Sequence, residues 1–236
     1  ASPRRELFVG MVSEGGELSG FSGIEQGHGL EFRPYLKAKN TNPYRSPSVS
    51  TGDVGGEISW SVTPQLKAAI TWNTDFAETE VDDRQVNLSR YPLFFPEKRD
   101  FFLQDATLFQ FGEVGSFGSV GSHLQPFFSR RIGLAGGLEV PLDSGVRVAG
   151  RTARWDLGFL AVHQGESGSA GTPENDLFVF RPTYALGEGL ALGGMLTSGN
   201  PARTEGNTVI GADLRWSTAS ALPGNFHVNA FLSHSD

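Results

Sequence analysis

The chain has 236 residues, a formal net charge of −7 and no cysteine. This length suits one large domain, and the absence of thiols excludes disulfides, zinc–thiolate sites and a cysteine nucleophile. The acidic balance, with no long basic run, argues against a nucleic-acid partner. No apolar stretch reaches the roughly 18 residues of a transmembrane helix, but a strand that crosses a bilayer needs only about 9–11 residues of alternating polarity.

Apolar and polar residues alternate along most of the chain, and this pattern predicts β-strands. Glycine (31 residues) and phenylalanine (18 residues) are abundant, which favours β-structure with many turns. On each predicted strand, large apolar side chains share one face, and charged or small side chains share the other. In chain order, the clearest segments are 29–39, 53–62, 65–75, 145–154, 190–199, 207–216 and 225–234. A further strand is expected over 126–134.

The predicted strands, about nine or ten in number and roughly 8–11 residues long, suit membrane-spanning strands better than the usual strand of about 5–6 residues. Trp60, Trp72 and Trp216 lie toward strand ends, where membrane barrels carry interfacial aromatic residues. The expected fold is therefore an all-β, antiparallel, up-and-down transmembrane β-barrel. The same alternation also describes a soluble β-sandwich, which stays the alternative fold.

Short and long connections alternate between the predicted strands. The connections at 63–64, 154–157 and 186–189 are short, whereas 164–175 and 198–207 are long. Outer-membrane barrels have short periplasmic turns and longer extracellular loops, so this alternation supports the barrel. The connection 217–225 is longer than the scheme predicts.

One segment, about 77–125, interrupts the strand pattern and is predicted to be an insert within a single domain that spans 1–236. Counting strand directions places its two ends on opposite sides of the membrane, so we expect it to pass through the barrel or to cap it. Two Phe-Phe pairs in this insert surround four charged residues: Phe94, Phe95, Glu97, Lys98, Arg99, Asp100, Phe101 and Phe102. We expect the phenylalanines to anchor the insert.

The charges of the insert are expected to pair with charged side chains that face the barrel interior. The expected network contains the four charged residues of the insert and four arginines outside it: Glu97, Lys98, Arg99, Asp100, Arg130, Arg131, Arg147 and Arg151. Because Arg130 and Arg131 are neighbours on a predicted strand, only one of them is expected to face the lumen. The network would either brace the insert or filter solutes, since rings of charged side chains set the selectivity of pores.

Four blocks of the sequence, in this order, resemble an uncharacterised family of bacterial cell-envelope proteins. The blocks are 18–39, 71–105, 127–134 and 146–164, and the most distinctive stretch is FFPEKRDFFL, Phe94 to Leu103. In that family, a domain like the family-nine carbohydrate-binding modules precedes a predicted outer-membrane β-barrel. The resemblance therefore implies the first part of a barrel in the bacterial outer membrane, and it implies no reaction.

The chain departs from this family pattern in three places. Asp100 stands where a proline is common. The sugar-binding domain and the terminal aromatic strand of such barrels are both absent from the 236 residues, so we expect a fragment of a longer barrel. The departure at Asp100 leaves the predicted fold unchanged.

Few residues indicate a chemical site. Asp75, Glu80 and Asp82 have an oxygen-rich spacing that could hold calcium, but they lack the strict calcium-loop pattern, and a solvated acidic loop explains them better. The histidines have no metal-binding spacing, and no serine stands in a nucleophile elbow. We therefore predict no cofactor and no firm metal site.

The expected function is passage or binding of a solute at the cell envelope. The expected partners are the lipid bilayer of the outer membrane and a small solute or a glycan; the carbohydrate link comes from the resemblance alone. One alternative is a soluble β-sandwich that binds a glycan or a protein. Another is a glycoside-active enzyme that uses carboxylates such as Glu78, Glu80 or Glu97, although we expect that the chain is not an enzyme.

Overall fold

The structure is a computed structural model that describes residues 29–41, 48–74, 97–112, 126–135, 138–187, 189–201, 206–218 and 226–236. The described part of the chain contains one short α-helix, α1 (Asp100–Leu103), two 3₁₀ helices, Ala106–Phe109 and Ser129–Arg131, and eleven strands. The strands are β1 (Leu30–Thr41), β2 (Val49–Thr63), β3 (Leu66–Trp72), β4 (Leu134–Ala135), β5 (Leu138–Glu139), β6 (Leu142–Arg151), β7 (Trp155–Gln164), β8 (Asn175–Gly187), β9 (Leu190–Ser198), β10 (Thr208–Thr218) and β11 (Phe226–Ser235).

Nine of these strands form one antiparallel sheet in the order β1-β2-β3-β6-β7-β8-β9-β10-β11. Each strand pairs with the next one along the chain, apart from the two-residue strands β4 and β5, which pair with each other. The prediction of an all-β, antiparallel, up-and-down sheet is confirmed. Within the described ranges, β1 and β11 each have a single neighbour, so the sheet is open at both edges.

The two faces of the sheet differ in which side chains they expose: one face exposes large apolar residues, and the other buries charged ones. Side chains alternate between the faces, and the register carries one row of apolar residues across the sheet, from Ile58 to Ile70 and on to Val146. We call this side the outer face. Its exposed apolar residues include Leu30, Phe32, Leu36, Val54, Ile58, Trp60, Val62, Ile70, Val146, Trp155, Phe180, Leu192, Ile210, Trp216, Val228 and Leu232.

The other side, which we call the inner face, carries the hydrophobic core and several buried charges. The core packs inner-face residues such as Leu160, Val179 and Met195 against phenylalanines of the 73–141 connection, Phe101 and Phe109 among them. Burial of these rings holds the connection against the sheet, because each buried aromatic side chain contributes a few kcal/mol of transfer free energy, about 1.5–3. The described part of the insert, 97–112, therefore lies on the inner face.

The connections agree with the predicted alternation of lengths. Short connections at 64–65, 152–154 and 188–189 join strands at one end of the sheet. Long connections lie at the other end: 42–48, 73–141, 165–174 and 199–207. The connection 219–225, at the short-turn end, is again the exception.

The prediction of a sheet strand over 126–134 is wrong. Ser129–Arg131 forms a 3₁₀ helix, in which the Ile132 amide donates to the Ser129 carbonyl at 2.9 Å. Gly133 then adopts a left-handed conformation, with φ of 78°, which turns the chain away from an extended path. Alternation of residue types could not reveal this turn, because it depends on local hydrogen bonds.

The prediction that the two ends of the insert lie on opposite sides of the membrane is also wrong, because it counted 126–134 as a strand. β3 pairs directly with β6 in an antiparallel arrangement, from Leu66 opposite Gly150 to Trp72 opposite Ser144. The Asn73 amide donates to the Asp143 carbonyl at 2.9 Å, so the 73–141 connection leaves and rejoins the sheet at the same end. Its described part, 97–112, lies over the inner face, so the two ends of the insert are on the same side of the sheet and not on opposite sides as predicted.

No helix among the described residues is long and apolar enough to cross a membrane.

Candidate functional site

The described part of the insert is docked on the inner face through phenylalanines that fit over glycines. Each of these glycines faces inward on a strand, and a side chain there would meet the ring of a phenylalanine from the insert. The three pairs are Gly145 of β6 with Phe101, Gly158 of β7 with Phe109, and Gly211 of β10 with Phe111. The glycines on this face therefore make room for the insert, which passes across at least five strands.

The local path of the insert is a series of short turns. Helix α1 has four residues and ends where Gln104 returns to an extended conformation. Asp105 follows with a left-handed φ of 58°, a conformation that Asp tolerates better than most residues. These turns place Phe101 and Phe109 against the sheet, and Phe101, Phe102 and Phe109 are all buried.

Glu97 and Arg99 form a buried ion pair within the insert. The Nε and Nη2 atoms of Arg99 donate to the two carboxylate oxygens of Glu97 at 2.8 and 2.7 Å. The same guanidinium donates to the carbonyls of Ile132 and Ser129, each at 2.8 Å, and lies 4.2 Å from the ring centroid of Phe102. The pair thus joins the start of the described insert to the 3₁₀ helix Ser129–Arg131.

The Glu97 carboxylate is held in its charged form. Burial alone raises its pKa, but the hydrogen bonds and the charge of Arg99, with a further hydrogen bond from Ser129, outweigh burial and lower the pKa below its ordinary value. A carboxylate held in this way is a poor general acid. The arrangement therefore gives no support to the predicted alternative in which Glu97 serves as a catalytic acid.

Arg147, on the inner face of β6, binds the middle of the insert. Its Nη1 donates to the Gln104 carbonyl at 2.7 Å, and its Nη2 donates to the Gln104 side-chain oxygen at 2.8 Å. Asp105 lies 3.5 Å from Nη1, and the guanidinium lies 5.6 Å from the ring of Phe101. The Arg147 side chain is 2% exposed, so these contacts are made away from water.

Arg181, on the inner face of β8, binds the end of the described insert. Its Nη1 lies 2.7 Å from one carboxylate oxygen of Asp213, and its Nη2 donates to the other at 2.8 Å. Its Nε donates to the Gln110 carbonyl at 2.8 Å, and its Nη1 donates to the Gly194 carbonyl at 3.0 Å. The guanidinium lies 5.4 Å from the ring of Phe111.

Arg99, Arg147 and Arg181 therefore act in the same way. Each guanidinium is buried, donates to at least one backbone carbonyl and lies over a phenylalanine of the insert. Arginine suits this task because its planar group has five donors and stacks on aromatic faces. The arrangement can hold a segment of chain firmly on a polar wall, and the three sets of contacts form the candidate functional site.

The structure also gives the positions of the other predicted charges. Arg130 is buried and Arg131 is exposed, and both lie in a 3₁₀ helix where a strand was predicted. Arg151 is 61% exposed and reaches Thr107 of the insert at 3.2 Å and Asp156 at 3.7 Å. Asp100 contacts Arg33 of β1 at 3.7 Å. Lys98 is exposed.

Several predicted residues lie outside the described part of the chain. These are the aromatic anchors Phe94 and Phe95 and the acidic residues Asp75, Glu78, Glu80 and Asp82. The described anchors, Phe101 and Phe102, are 3% and 4% exposed. Among the residues with described positions, no group of His, Cys, Asp or Glu could hold a metal ion.

Sequence reasoning missed Arg181 and the glutamines that meet the arginines. Arg181 is the one charged residue in the run FVFRPTY of β8, and a single charge in such a strand was the available signal. Gln164, 1% exposed, was also missed; it accepts from the Gly133 amide and donates to the Pro201 carbonyl, each at 3.0 Å. Polar residues without charge gave no signal of this kind.

A second feature is a polar cleft of about 400 Å³ at the long-connection end of the sheet. Its lining includes His163, Glu174, Asp176, Ser198 and Asn207. His163 and Asp176 are opposite each other on neighbouring strands, and His163 Nδ1 lies 2.7 Å from an Asp176 carboxylate oxygen. Both side chains project from the outer face, beyond its apolar rows.

A family model described as a domain of unknown function (DUF5916) matches residues 28–143. The matched range includes β1 to β3, the whole 73–141 connection and the start of β6. No curated protein and no solved structure matches the chain. The similarity is thus concentrated on the insert and the strands that lead into it.

Proposed function

We propose that this sheet is part of the wall of a transmembrane β-barrel in the bacterial outer membrane, with the insert inside the lumen. The observation that carries the proposal is the inverted polarity of the sheet: large apolar side chains are exposed on the outer face, while Arg147, Arg181 and Asp213 are buried on the inner face. Contiguous apolar surface of this kind marks a site of contact with membrane or protein. In a barrel, lipid would cover the outer face.

Strand length supports the same proposal. Eight of the nine sheet strands have between 9 and 15 residues, and β3 has 7. A tilted strand needs about 9–11 residues to cross the hydrocarbon core. In such a barrel, β1 and β11 would pair with each other or with further strands, because unpaired backbone groups are not tolerated in lipid.

A row of aromatic residues supports an interface at the short-turn end. Trp60, Trp155, Tyr184 and Trp216 all belong to the outer face and lie near the short connections. Trp155 and Tyr184 are opposite each other, with ring centroids 4.8 Å apart. Trp and Tyr are enriched where a barrel meets the lipid headgroups, so this row would mark the periplasmic boundary.

The proposed activity is restricted passage or binding of a small solute in the space that the insert leaves. A segment held by three buried arginines narrows the lumen. The carbohydrate link remains a prediction, and so does the absence of an enzymatic activity. The soluble β-sandwich alternative would require a second layer on the outer face, and the described ranges place no strand or helix there.

The test is direct contact between the tryptophans and lipid. The purified chain is refolded into vesicles whose acyl chains carry bromine at defined depths, and Trp fluorescence is recorded. We expect strong quenching of Trp fluorescence, and the strongest quenching from bromine near the headgroups. The reason is that Trp60, Trp155 and Trp216 lie on the outer face near the short connections. A chain that stays monomeric in water without detergent, and that shows no quenching, would contradict the membrane proposal.

A further inference from the structure

The two arginines of the sheet that hold the insert differ in where their partners lie. Arg181 binds Asp213, a carboxylate of the sheet, as well as the Gln110 carbonyl of the insert. Among the described residues, Arg147 donates hydrogen bonds only to Gln104 of the insert, and its buried Nε has no acceptor. In the described contacts, the sheet thus supplies a direct carboxylate partner to Arg181 and none to Arg147.

The Arg181–Asp213 pair crosses one strand of the sheet. Asp213 of β10 is opposite Gly193 of β9, and Arg181 of β8 is in register with Met195, two residues further along β9. A side chain at Gly193 would collide with both charged groups, so glycine leaves room for the pair. Two charged side chains therefore meet across two strand spacings of about 4.8 Å each and an offset of about 7 Å along the strand.

Glu57 of β2 has the same position relative to Arg147. It is opposite Thr71 of β3, and Arg147 of β6 is opposite Ala69, two residues away along β3. The two pairs follow the same diagonal of the sheet, and the charges of Glu57 and Arg147 act on each other across β3. Glutamate is one methylene longer than the aspartate that spans this offset at Arg181. A direct Arg147–Glu57 pair is therefore within reach of the two side chains.

Glu57 also has no hydrogen-bond donor while the insert is docked. It is 9% exposed, and its buried Oε1 accepts no hydrogen bond from any described residue. Arg33, opposite it on β1, donates to Glu31 at 2.7 Å. A buried donor of Arg147 and a buried acceptor of Glu57 thus stay unmatched among the described contacts, which is unfavourable for both groups.

We propose that the insert is released from the sheet at Arg147, which then exchanges Gln104 and Asp105 of the insert for Glu57. Arg181 keeps its carboxylate partner on the sheet in both states and loses only its contacts with the insert. The exchange lowers the cost of release, because no buried charge is left without a partner. The inference rests on the proposed function, since displacing the insert opens a path only inside a barrel, and it adds how that path is regulated.

The test uses the absence of cysteine from the chain. Ala149→Cys places one thiol on the inner face of β6, at a residue that is 1% exposed and opposite Gly158, where Phe109 of the insert packs. In detergent micelles, the rate at which a methanethiosulfonate reagent modifies this thiol reports release of the insert. In that background, Glu57→Gln should slow modification roughly tenfold, because the released state loses a hydrogen bond between two charged groups.

Four further variants make the result specific. Glu57→Asp should keep the original rate, because an aspartate spans the same offset at Arg181. In an Arg147→Gln background, Glu57→Gln should have no further effect on the rate. Glu174→Gln, which removes a carboxylate of the polar cleft, should leave the rate unchanged. Leu103→Cys, at a residue of the insert that is 44% exposed, gives the rate for an accessible thiol.

An unchanged or faster rate in Glu57→Gln would overturn the inference, because Glu57 would then have no role in release or would stabilise the docked insert. An Ala149→Cys thiol that never reacts, while Leu103→Cys does, would overturn it as well. Glu57→Met, with a neutral side chain of similar length, gives the same test if Glu57→Gln fails to fold. Lipid quenching is scored separately, so a chain that fails to insert defeats the proposed function, while the rates in detergent still decide the exchange at Arg147.

Discussion

The outer and inner faces of the sheet can be compared at two adjacent residues of β8, because Phe180 projects from the outer face and Arg181 from the inner face. Phe180 is 38% exposed, whereas Arg181 is 1% exposed and makes hydrogen bonds to Asp213 and to backbone carbonyls. In a water-soluble protein the phenylalanine would be the buried member of this pair. The comparison teaches that the surroundings of each face, rather than the residue type alone, determine what is buried.

The same contrast extends along the sheet. On the outer face, apolar rows continue from strand to strand with no layer over them in the described structure. On the inner face, glycines contact phenylalanine rings of the insert, and Arg147 and Arg181 donate hydrogen bonds to its carbonyls. Four changes test whether these two faces differ as proposed.

The largest expected effect comes from Arg181→Leu. The change leaves the buried Asp213 carboxylate unpaired and removes the donor from the Gln110 carbonyl. Loss of one partner of a buried ion pair costs about 3–5 kcal/mol, which should appear in the free energy of unfolding measured with denaturant in vesicles.

The double variant Arg181→Leu with Asp213→Leu is the control for that experiment. It removes both charges together, and replacing a whole buried pair by apolar residues is often close to neutral. We expect it to recover most of the lost stability. A single variant that is destabilised by less than about 1 kcal/mol would contradict the buried pair, since that is the range of exposed ion pairs.

Phe180→Arg should have the next largest effect. An arginine on the lipid face near the middle of a membrane strand costs about 2–4 kcal/mol, whereas a partly exposed position in a soluble protein would cost well under that amount. Unfolding in vesicles measures the difference. Leu103→Arg is the matched control, because Leu103 is 44% exposed on the insert and not on the outer face; equal losses for the two variants would exclude lipid contact at Phe180.

Gly158→Val tests the docking of the insert on the inner face. A side chain at this position would approach the Phe109 ring to 3.0 Å, so we expect displacement of the insert and a loss of about 1–3 kcal/mol. Faster cleavage of the insert by protease would report the displacement. Gly187→Val, at a glycine with no atom within 4 Å of an added Cβ, should leave the cleavage rate unchanged.

The smallest effect is expected in acid and concerns Glu97. Because its pKa is lowered in the folded protein, its ion pair contributes stability above the unfolded pKa, about 4.3, and this contribution is lost as the pH falls through the folded pKa. Glu97→Gln should therefore be less stable than the wild type at neutral pH and should lose less stability between neutral pH and strong acid. Parallel stability curves for the two proteins over this range would show that the Glu97–Arg99 pair has no energetic role.

The strands and their faces could be predicted, but several contacts could not. Alternation placed Arg147 on one face of its strand and Val146 and Val148 on the other, and the structure has that arrangement. It also extended a strand through Ser129 to Gly133, where local hydrogen bonds and a left-handed glycine form a turn instead. A two-residue period cannot detect such a turn, because residues on both sides of it keep the same polarity pattern.

The partners of the buried arginines show where prediction ended. The network was expected to join the charges of the insert to arginines of the wall. Asp100 and Asp105 do lie 3.7 and 3.5 Å from Arg33 and Arg147, but Glu97 pairs with Arg99, two residues away. Arg147 and Arg181 bind backbone carbonyls of the insert. Every residue has a carbonyl, so its use as an acceptor leaves no mark in the sequence.

The sequence by itself determined the periodicity of two along the strands, and hence which residues share a face, because adjacent side chains of an extended chain must point to opposite sides. The sequence also determined the cluster of phenylalanines in the insert, whose rings must be buried against another part of the protein. The tertiary structure alone decided which surface that is, with Arg147 meeting Gln104 43 residues away and Arg181 meeting Asp213 32 residues away. Contacts over such separations depend on strand register and on the path of the insert together, and both are set only when the whole sheet has formed.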